Sequence, residues 1–101
     1  MEEIARYHID DKFIITGRGL VFTGHIIEGV INIGDYIEFS FNGNLIRRRI
    51  IGINAVRNSM HSKGVFDKLN TGVLIKCQSE EEMKMIRISN LKDVEAFVFK
   101  D

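Results

Sequence analysis

The stretch that decides the fold runs from Phe13 to Asp35 and reads FIITGRGLVFTGHIIEGVINIGD. Its apolar, β-branched runs are separated by five glycines, an alternation that is typical of short strands joined by turns. Glycine tolerates backbone conformations that a β-carbon penalises, as turns, bulges and barrel corners require. Three of these glycines, Gly24, Gly29 and Gly34, follow one another at five-residue intervals. This spacing predicts strands that bend repeatedly as they wind around a small barrel.

The rest of the chain continues the pattern of short strands. Asn42-Gly43 lies between two apolar segments and predicts a hairpin turn. Ser79 followed by Glu82 matches a capping box, so one short helix is expected to begin there. The segment from Arg57 to Asn70 is polar and lacks the hydrophobic periodicity of a strand or helix, and it is interpreted as a loop. The predicted strands are Phe13–Thr16, Leu20–Ile26, Val30–Ile33, Tyr36–Phe41, Leu45–Ile53, Gly72–Gln78 and Glu95–Lys100.

Together these elements predict an all-β fold: a small closed β-barrel of about seven short strands with one short helix. A sandwich of two sheets is the alternative, whereas an open sheet would leave unpaired edges that favour aggregation. The chain has 101 residues and is predicted to form a single domain over 1–101, since a second core would not fit.

Composition indicates an ordinary folded protein of the cytoplasm. Apolar residues make up 45% of the chain and charged residues 28%. No apolar run approaches the roughly 20 residues that span a bilayer, and Met1-Glu2-Glu3 lacks the layout of a signal peptide, so no membrane partner is expected. The single cysteine, Cys77, cannot form an internal disulfide, which fits a reducing compartment. Its apolar neighbours predict a packed core thiol.

The segment from Phe13 to Asp35 also resembles the second domain of the elongation factor Tu-like translational GTPases. That family's pattern runs G-R-G, x-V-x-T-G, x-I-x-x-G and x-I-x-x-G-D, followed by an apolar-acidic strand. The matching positions here are Gly17-Arg18-Gly19, Val21, Thr23-Gly24, Ile26, Gly29, Ile31, Gly34-Asp35 and Ile37-Glu38. Two later segments, Ile50-Ile51-Gly52-Ile53 and Asn70-Thr71-Gly72-Val73-Leu74-Ile75, resemble further strands of that domain. The resemblance implies a barrel of the translation-factor domain 2 type, here as a stand-alone domain.

The same resemblance has consequences for function. The G-x-x-x-x-G-K-[ST] loop that cradles phosphates is absent from the sequence, so nucleotide hydrolysis is not expected. In the elongation factor, an acidic residue that often follows the Ile51-Gly52-Ile53 strand lies against the terminal adenosine of aminoacyl-tRNA. Asn54 stands at that position here, and the basic residue three positions later is matched by Arg57.

Charge is concentrated in the middle of a chain whose formal net charge is zero. Residues 1–39 hold three basic and seven acidic groups, residues 40–70 hold six and one, and residues 71–101 hold five and six. The net charges of the three segments are therefore −4, +5 and −1. Strand alternation places Arg47 and Arg49 on one face, and Arg57 and Lys63 could extend that face across the loop. The alternative interpretation is a solvated strand face or a charged edge that prevents sheet-to-sheet aggregation.

Other polar residues suggest no catalytic or metal chemistry. Arg18, between two glycines, could offer a charge at an exposed turn. The favoured prediction is that it donates structural hydrogen bonds to neighbouring loops, because arginine has five fixed donors. His8, His25 and His61 are far apart in sequence and have no partner cysteines, so no metal site is expected. No nucleophile, base and orienting group share a motif, so the protein is predicted not to be an enzyme and to need no cofactor.

Two function hypotheses follow. The first is a non-enzymatic binding module that contacts RNA or a translation-related protein through a basic strand and loop. Its binding residues would be Arg47, Arg49, Asn54, Arg57 and Lys63. The alternative is a protein-interaction or inhibitor domain that uses the barrel as a scaffold and has no RNA partner. A homo-oligomer is also plausible, because a barrel that packs against sister domains elsewhere would have apolar surface to cover here.

Overall fold

The computed structural model describes residues 2–56 and 70–101, which form six strands and one helix. The elements are β1 (Glu3–Ile15), β2 (Gly19–Gly29), β3 (Tyr36–Phe41), β4 (Asn44–Val56), β5 (Asn70–Ile75), α1 (Glu80–Arg87) and β6 (Val94–Phe99). Neighbouring strands are antiparallel in the order β1-β2-β5-β4-β3-β6, and β6 pairs with β1 to close the barrel. The prediction of an all-β closed barrel with one short helix is therefore confirmed.

The described strands number six rather than about seven, because the strand predicted at Val30–Ile33 is wrong. This segment instead forms no strand and ends in a turn at Ile33-Gly34. The Asp35 carboxylate accepts a hydrogen bond from the Asn32 amide at 3.0 Å, and the Asp35 amide donates to the Asn32 carbonyl at 3.2 Å. Only Ile31 of the apolar run is buried. The β-branched residues therefore mark a segment that inserts one side chain into the core.

The first strand begins at Glu3, ten residues before the predicted strand at Phe13–Thr16. Ala5, Tyr7 and Ile9 alternate into the core, but the register with β2 shifts between Ile9 and Asp11. The extra residue of this bulge is Asp10, and it breaks the period-two pattern that identifies a strand in the sequence. β5 is shorter than predicted and ends at Ile75 instead of Gln78.

The described residues form one hydrophobic core inside the barrel. Its buried residues are Ala5, Tyr7, Ile9, Leu20, Phe22, Ile31, Ile37, Phe39, Ile50, Val73, Ile75, Ile86, Leu91, Ala96 and Val98. The rings of Phe22 and Phe39 meet edge to face with centroids 5.1 Å apart. The Tyr7 hydroxyl, fully buried, lies between the carbonyl oxygens of Phe22, at 3.2 Å, and Thr71. One phenol thus links the backbones of β2 and β5 from inside.

The helix starts as predicted. Ser79 is the N-cap, and its hydroxyl accepts a hydrogen bond from the Glu82 amide at 3.0 Å. The Glu82 carboxylate accepts from the amide of Gln78 rather than from that of Ser79, so the reciprocal bond of the capping box is displaced by one residue. At the other end, the ammonium group of Lys12 donates to the Ser89 carbonyl at 2.8 Å. The helix is therefore tied to β1.

Gly24 and Gly29 are required because a side chain at either position would clash with the backbone of β1. A β-carbon on Gly24 would lie 1.8 Å from the carbonyl oxygen of His8, and one on Gly29 would lie 2.1 Å from that of Ile4. Gly29 also has φ +87°, which favours glycine. Gly24 lies opposite Ile9, next to one register shift of the β1–β2 pair, and Gly29 lies opposite Ala5, close to the other, so both let the two strands approach closely.

Candidate functional site

A groove lies on the outer face of β1, β2, β5 and β4, and we call it the outer groove. Cross-strand pairs run straight across it: Phe13 lies opposite Val21, Val21 opposite Leu74, and Leu74 opposite Gly52. The groove has a volume of about 540 Å³. Small-ligand sites typically measure about 300–1,000 Å³. The outer groove is therefore large enough for a small molecule or for a short part of a larger one.

Glycines make the floor of the outer groove low. Gly52 and Gly72 both line it, and neither raises a side chain above the sheet. The walls are apolar: Phe13 is 43% exposed, and Ile15 and Leu74 also border the cavity. An exposed aromatic face beside a flat floor suits a planar ligand, because the ring can stack on it while the floor leaves room below.

Arg18 supplies the cation of the outer groove. It lines the cavity from the turn between β1 and β2 and is exposed. Its guanidinium forms no hydrogen bond or ion pair with any other residue in 2–56 and 70–101, so the predicted structural role in bonding neighbouring loops is wrong. A second cavity of about 440 Å³, between this turn and the start of α1, is also lined by Arg18.

Asn54 and Thr23 bring neutral polar groups to the same groove, and Asp10 brings an acidic one. Asn54 lies opposite Gly72 in the β4–β5 pair, beside the low part of the floor. Asn54 is the only residue of the predicted binding set among the described residues that line the outer groove. The amide of asparagine offers both donors and an acceptor, which suits hydrogen bonding to the edge of a base or a peptide.

The predicted basic face lies elsewhere on the barrel. Arg47 and Arg49 point to one side of β4, as strand alternation predicted, and they contact β3 and the chain's last residues. Arg47 pairs with Glu38 at 2.9 Å and lies 4.4 Å from the centre of the Phe99 ring. Arg49 approaches Asp101 at 3.5 Å and lies over the ring of Tyr36 at 4.7 Å.

Because each of these guanidinium groups already has an acidic neighbour, the face is less basic than its sequence indicates. Arg57 and Lys63, the two remaining predicted site residues, lie outside the described residues. The predicted loop from Arg57 to Asn70 falls almost entirely in the same region.

Arg48, the middle arginine, has a structural role. It forms a bidentate ion pair with Glu82 of α1, and both side chains are 15% exposed. Hydrogen bonding to Arg48 lowers the pKa of Glu82 below its ordinary value. The pair attaches the helix to β4 and keeps Arg48 away from ligands.

Cys77 packs against the core at the edge of this ion pair and is partly buried. Burial, together with the nearby charge of Glu82, raises the pKa of its thiol to about 12. The thiolate is the nucleophilic form, so Cys77 stays unreactive at neutral pH. This agrees with its interpretation as a packed thiol.

Histidines that are distant in sequence meet on the barrel surface. The rings of His8 and His25 stack with centroids 5.1 Å apart, because the two residues pair across β1 and β2. The Nε2 atom of His8 lies 3.2 Å from a carboxylate oxygen of Asp10 and 3.7 Å from one of Asp93. Sequence spacing gave no sign of this cluster, because cross-strand register and barrel closure create it.

No known family model matches the sequence. The resemblance to the second domain of the translational GTPases therefore stays a prediction. None of the described residues forms a helix long and apolar enough to cross a lipid bilayer.

Proposed function

We propose that the protein is a non-enzymatic binding module that holds the unpaired end of an RNA strand in the outer groove. One observation carries the proposal: an exposed aromatic ring, Phe13, borders the same glycine-floored cavity as Arg18, a cation that has no partner among residues 2–56 and 70–101. A nucleotide combines the two matching features, a flat base and an anionic phosphate.

The chemistry of each group fits this ligand. Stacking of a base on an aromatic side chain contributes about 1–3 kcal/mol and tolerates any base. A guanidinium group binds phosphate through two parallel hydrogen bonds. The Asn54 amide, on the opposite side of the floor, could hydrogen-bond to a base edge. A base within a duplex is stacked between its neighbours, so an unpaired end is the part of an RNA that could enter.

Two further observations support an RNA end over a long RNA surface. In the resembled family the position of Asn54 lies near the terminal adenosine of a tRNA, and here Asn54 lines the cavity. The net charge of zero and the paired states of Arg47 and Arg49 disfavour a broad phosphate-binding surface. Binding should therefore depend only weakly on salt, with a log–log slope near that of about one phosphate contact on a single strand, roughly −0.7.

Fluorescence anisotropy with a labelled single-stranded RNA of ten nucleotides, compared with its blunt duplex, tests the proposal. Phe13→Ala and Arg18→Gln should each weaken single-strand binding about tenfold, the effect of losing about 1.4 kcal/mol. Arg47→Gln is the matched control, since it removes a guanidinium outside the groove, and it should change affinity less than about twofold. Equal binding of the duplex, or an effect of Arg47→Gln as large as that of Arg18→Gln, would contradict the proposal.

A protein partner is the second candidate, and exposed apolar side chains away from the groove favour it. Ile88, just after α1, is 76% exposed, and Leu45, beside the β3–β4 turn, is 70% exposed. Exposed apolar side chains indicate interfaces and the contacts of homo-oligomers where they belong to a contiguous patch. Capture of a translation-related protein from nuclease-treated cytoplasm, abolished by Ile88→Lys or Leu45→Lys and unchanged by Arg18→Gln, would favour this function. Sedimentation of the same variants would show self-association.

A further inference from the structure

Three potential metal ligands converge on one patch of the barrel, and we call them the His8 cluster: His8, Asp10 and Asp93. Each offers one ligand atom, and these atoms all lie within 4.8 Å of one another. Nε2 of His8 lies 3.2 Å and 3.7 Å from carboxylate oxygens of Asp10 and Asp93. A single ion placed among them could reach all three with small changes in side-chain rotamer, since metal–oxygen and metal–nitrogen bonds measure about 2.0–2.2 Å.

The fold fixes the position of each ligand. His8 and Asp10 lie on β1, and Asp10 is the extra residue at the register shift between Ile9 and Asp11. Asp93 immediately precedes β6, which pairs with β1 through Ile9 and Val94. His25 stacks on the His8 ring from β2 and limits its rotation. The cluster is therefore assembled by barrel closure from two distant parts of the chain.

The charge of the cluster points to a cation as its partner. Two carboxylates lie beside the imidazole of His8. Within residues 2–56 and 70–101, no lysine or arginine forms an ion pair with Asp10 or Asp93. Elsewhere on this barrel carboxylates such as Glu38 and Glu82 pair with arginines, so the acidic cluster stands out.

We propose that the His8 cluster binds one divalent transition-metal ion of the Zn²⁺ type. One imidazole nitrogen and two carboxylate oxygens suit Zn²⁺ and its neighbours, whereas Mg²⁺ and Ca²⁺ prefer sites made of oxygen alone. Three protein ligands leave a further coordination position for water or another ligand. Because Asp10 also lines the outer groove, the bound ion lies at the edge of that groove. The proposal does not depend on what the groove binds.

Isothermal titration of the chelator-treated full chain with ZnCl₂ tests the proposal. The wild type should bind one Zn²⁺ per chain, and millimolar MgCl₂ should give no binding. His8→Gln and Asp93→Asn should each weaken Zn²⁺ binding by about tenfold or more, since even indirect ligand partners commonly contribute that factor. Asparagine suits position 93, where φ is +54°, so this variant keeps the backbone conformation.

Two controls separate the cluster from other donors. Asp11→Asn removes a neighbouring carboxylate outside the cluster and should leave Zn²⁺ affinity within about twofold of the wild type. Cys77→Ala should also leave it unchanged, because burial keeps that thiol protonated. Circular dichroism of the metal-free variants must show wild-type melting temperatures. Zn²⁺ should then raise the melting temperature of the wild type by several degrees and that of His8→Gln by clearly less at the same Zn²⁺ concentration.

Nuclear magnetic resonance of the histidine rings supplies the second measurement. Zn²⁺ should shift the ring signals of His8 at one equivalent, with those of the stacked His25 following. Zn²⁺ binding of undiminished affinity in His8→Gln, or no binding by the wild type, would overturn the proposal and leave an ordinary histidine–carboxylate ion pair.

Discussion

Replacing Gly24 by alanine should destabilise the barrel by about 3 kcal/mol or more. The added methyl carbon would lie 1.8 Å from the carbonyl oxygen of His8 and 3.1 Å from the hydroxyl oxygen of Tyr7. The first distance is impossible, so the backbone of β1 must move away, and overpacking of this kind costs about 1–3 kcal/mol. Displacing the buried Tyr7 hydroxyl from its carbonyl partners adds about 1–3 kcal/mol. Typical total stabilities are only about 5–15 kcal/mol.

Gly72→Ala is the matched control, because it adds the same methyl group to a glycine of the groove floor. Its nearest neighbours would lie 3.6 Å away, at ordinary contact distance, so stability should change by less than about 0.5 kcal/mol. Urea unfolding followed by circular dichroism measures both variants. In thermal melts the Gly24 variant should lose about 12 °C or more, at about 4–8 °C per kcal/mol. Equal stabilities of the two variants would refute the reasoning.

Further predictions concern the helix and the titratable groups. Glu82→Gln leaves Arg48 without its carboxylate and should lower the free energy of unfolding in urea at pH 7 by about 1–3 kcal/mol. The double variant Arg48→Met with Glu82→Gln should lose less stability than the two single variants added together. Because the pKa of Glu82 is lowered from 4.5, the pair stabilises the fold above about pH 4.5 and loses this contribution as the pH falls, a dependence that should be weaker in Glu82→Gln. The raised pKa of Cys77 has the opposite effect on stability. The contribution of this thiol to the free energy of unfolding is complete below pH 9, its ordinary pKa, and is lost as the pH rises towards about 12. The stability of Cys77→Ala should therefore depend less on pH between pH 9 and 10.

The sequence predicted the barrel because its glycines and β-branched residues report local backbone geometry, which neighbouring residues largely determine. The hairpin at Asn42-Gly43 and the helix cap at Ser79 were predictable for the same reason. Val30–Ile33 has the composition of a strand, but the Asp35 carboxylate bonds to the Asn32 amide and turns the chain instead. Composition cannot distinguish a strand from an irregular segment that inserts a single isoleucine, Ile31, into the core.

The candidate sites were harder to predict because they depend on register between distant strands. Arg47 and Arg49 look like a basic face in sequence, yet the β3–β4 register sets Glu38 and Tyr36 opposite them. A structural role was predicted for Arg18 because arginine has five fixed donors, but the residue lines the groove from an exposed turn instead. The His8 cluster requires β6 to return beside β1, which no local pattern encodes.

The buried Tyr7 is an intrinsic fluorescent probe of the barrel wall. The chain has two tyrosines and no tryptophan, so tyrosine emission is unmasked. Tyr7 contacts the carbonyl of Thr71, a residue that lines the outer groove, while Tyr36 lies under Arg49 outside it. A Tyr36→Phe protein would carry a single fluorophore separated from a groove ligand by one layer of backbone. Its emission could follow groove occupancy in solution without any attached dye.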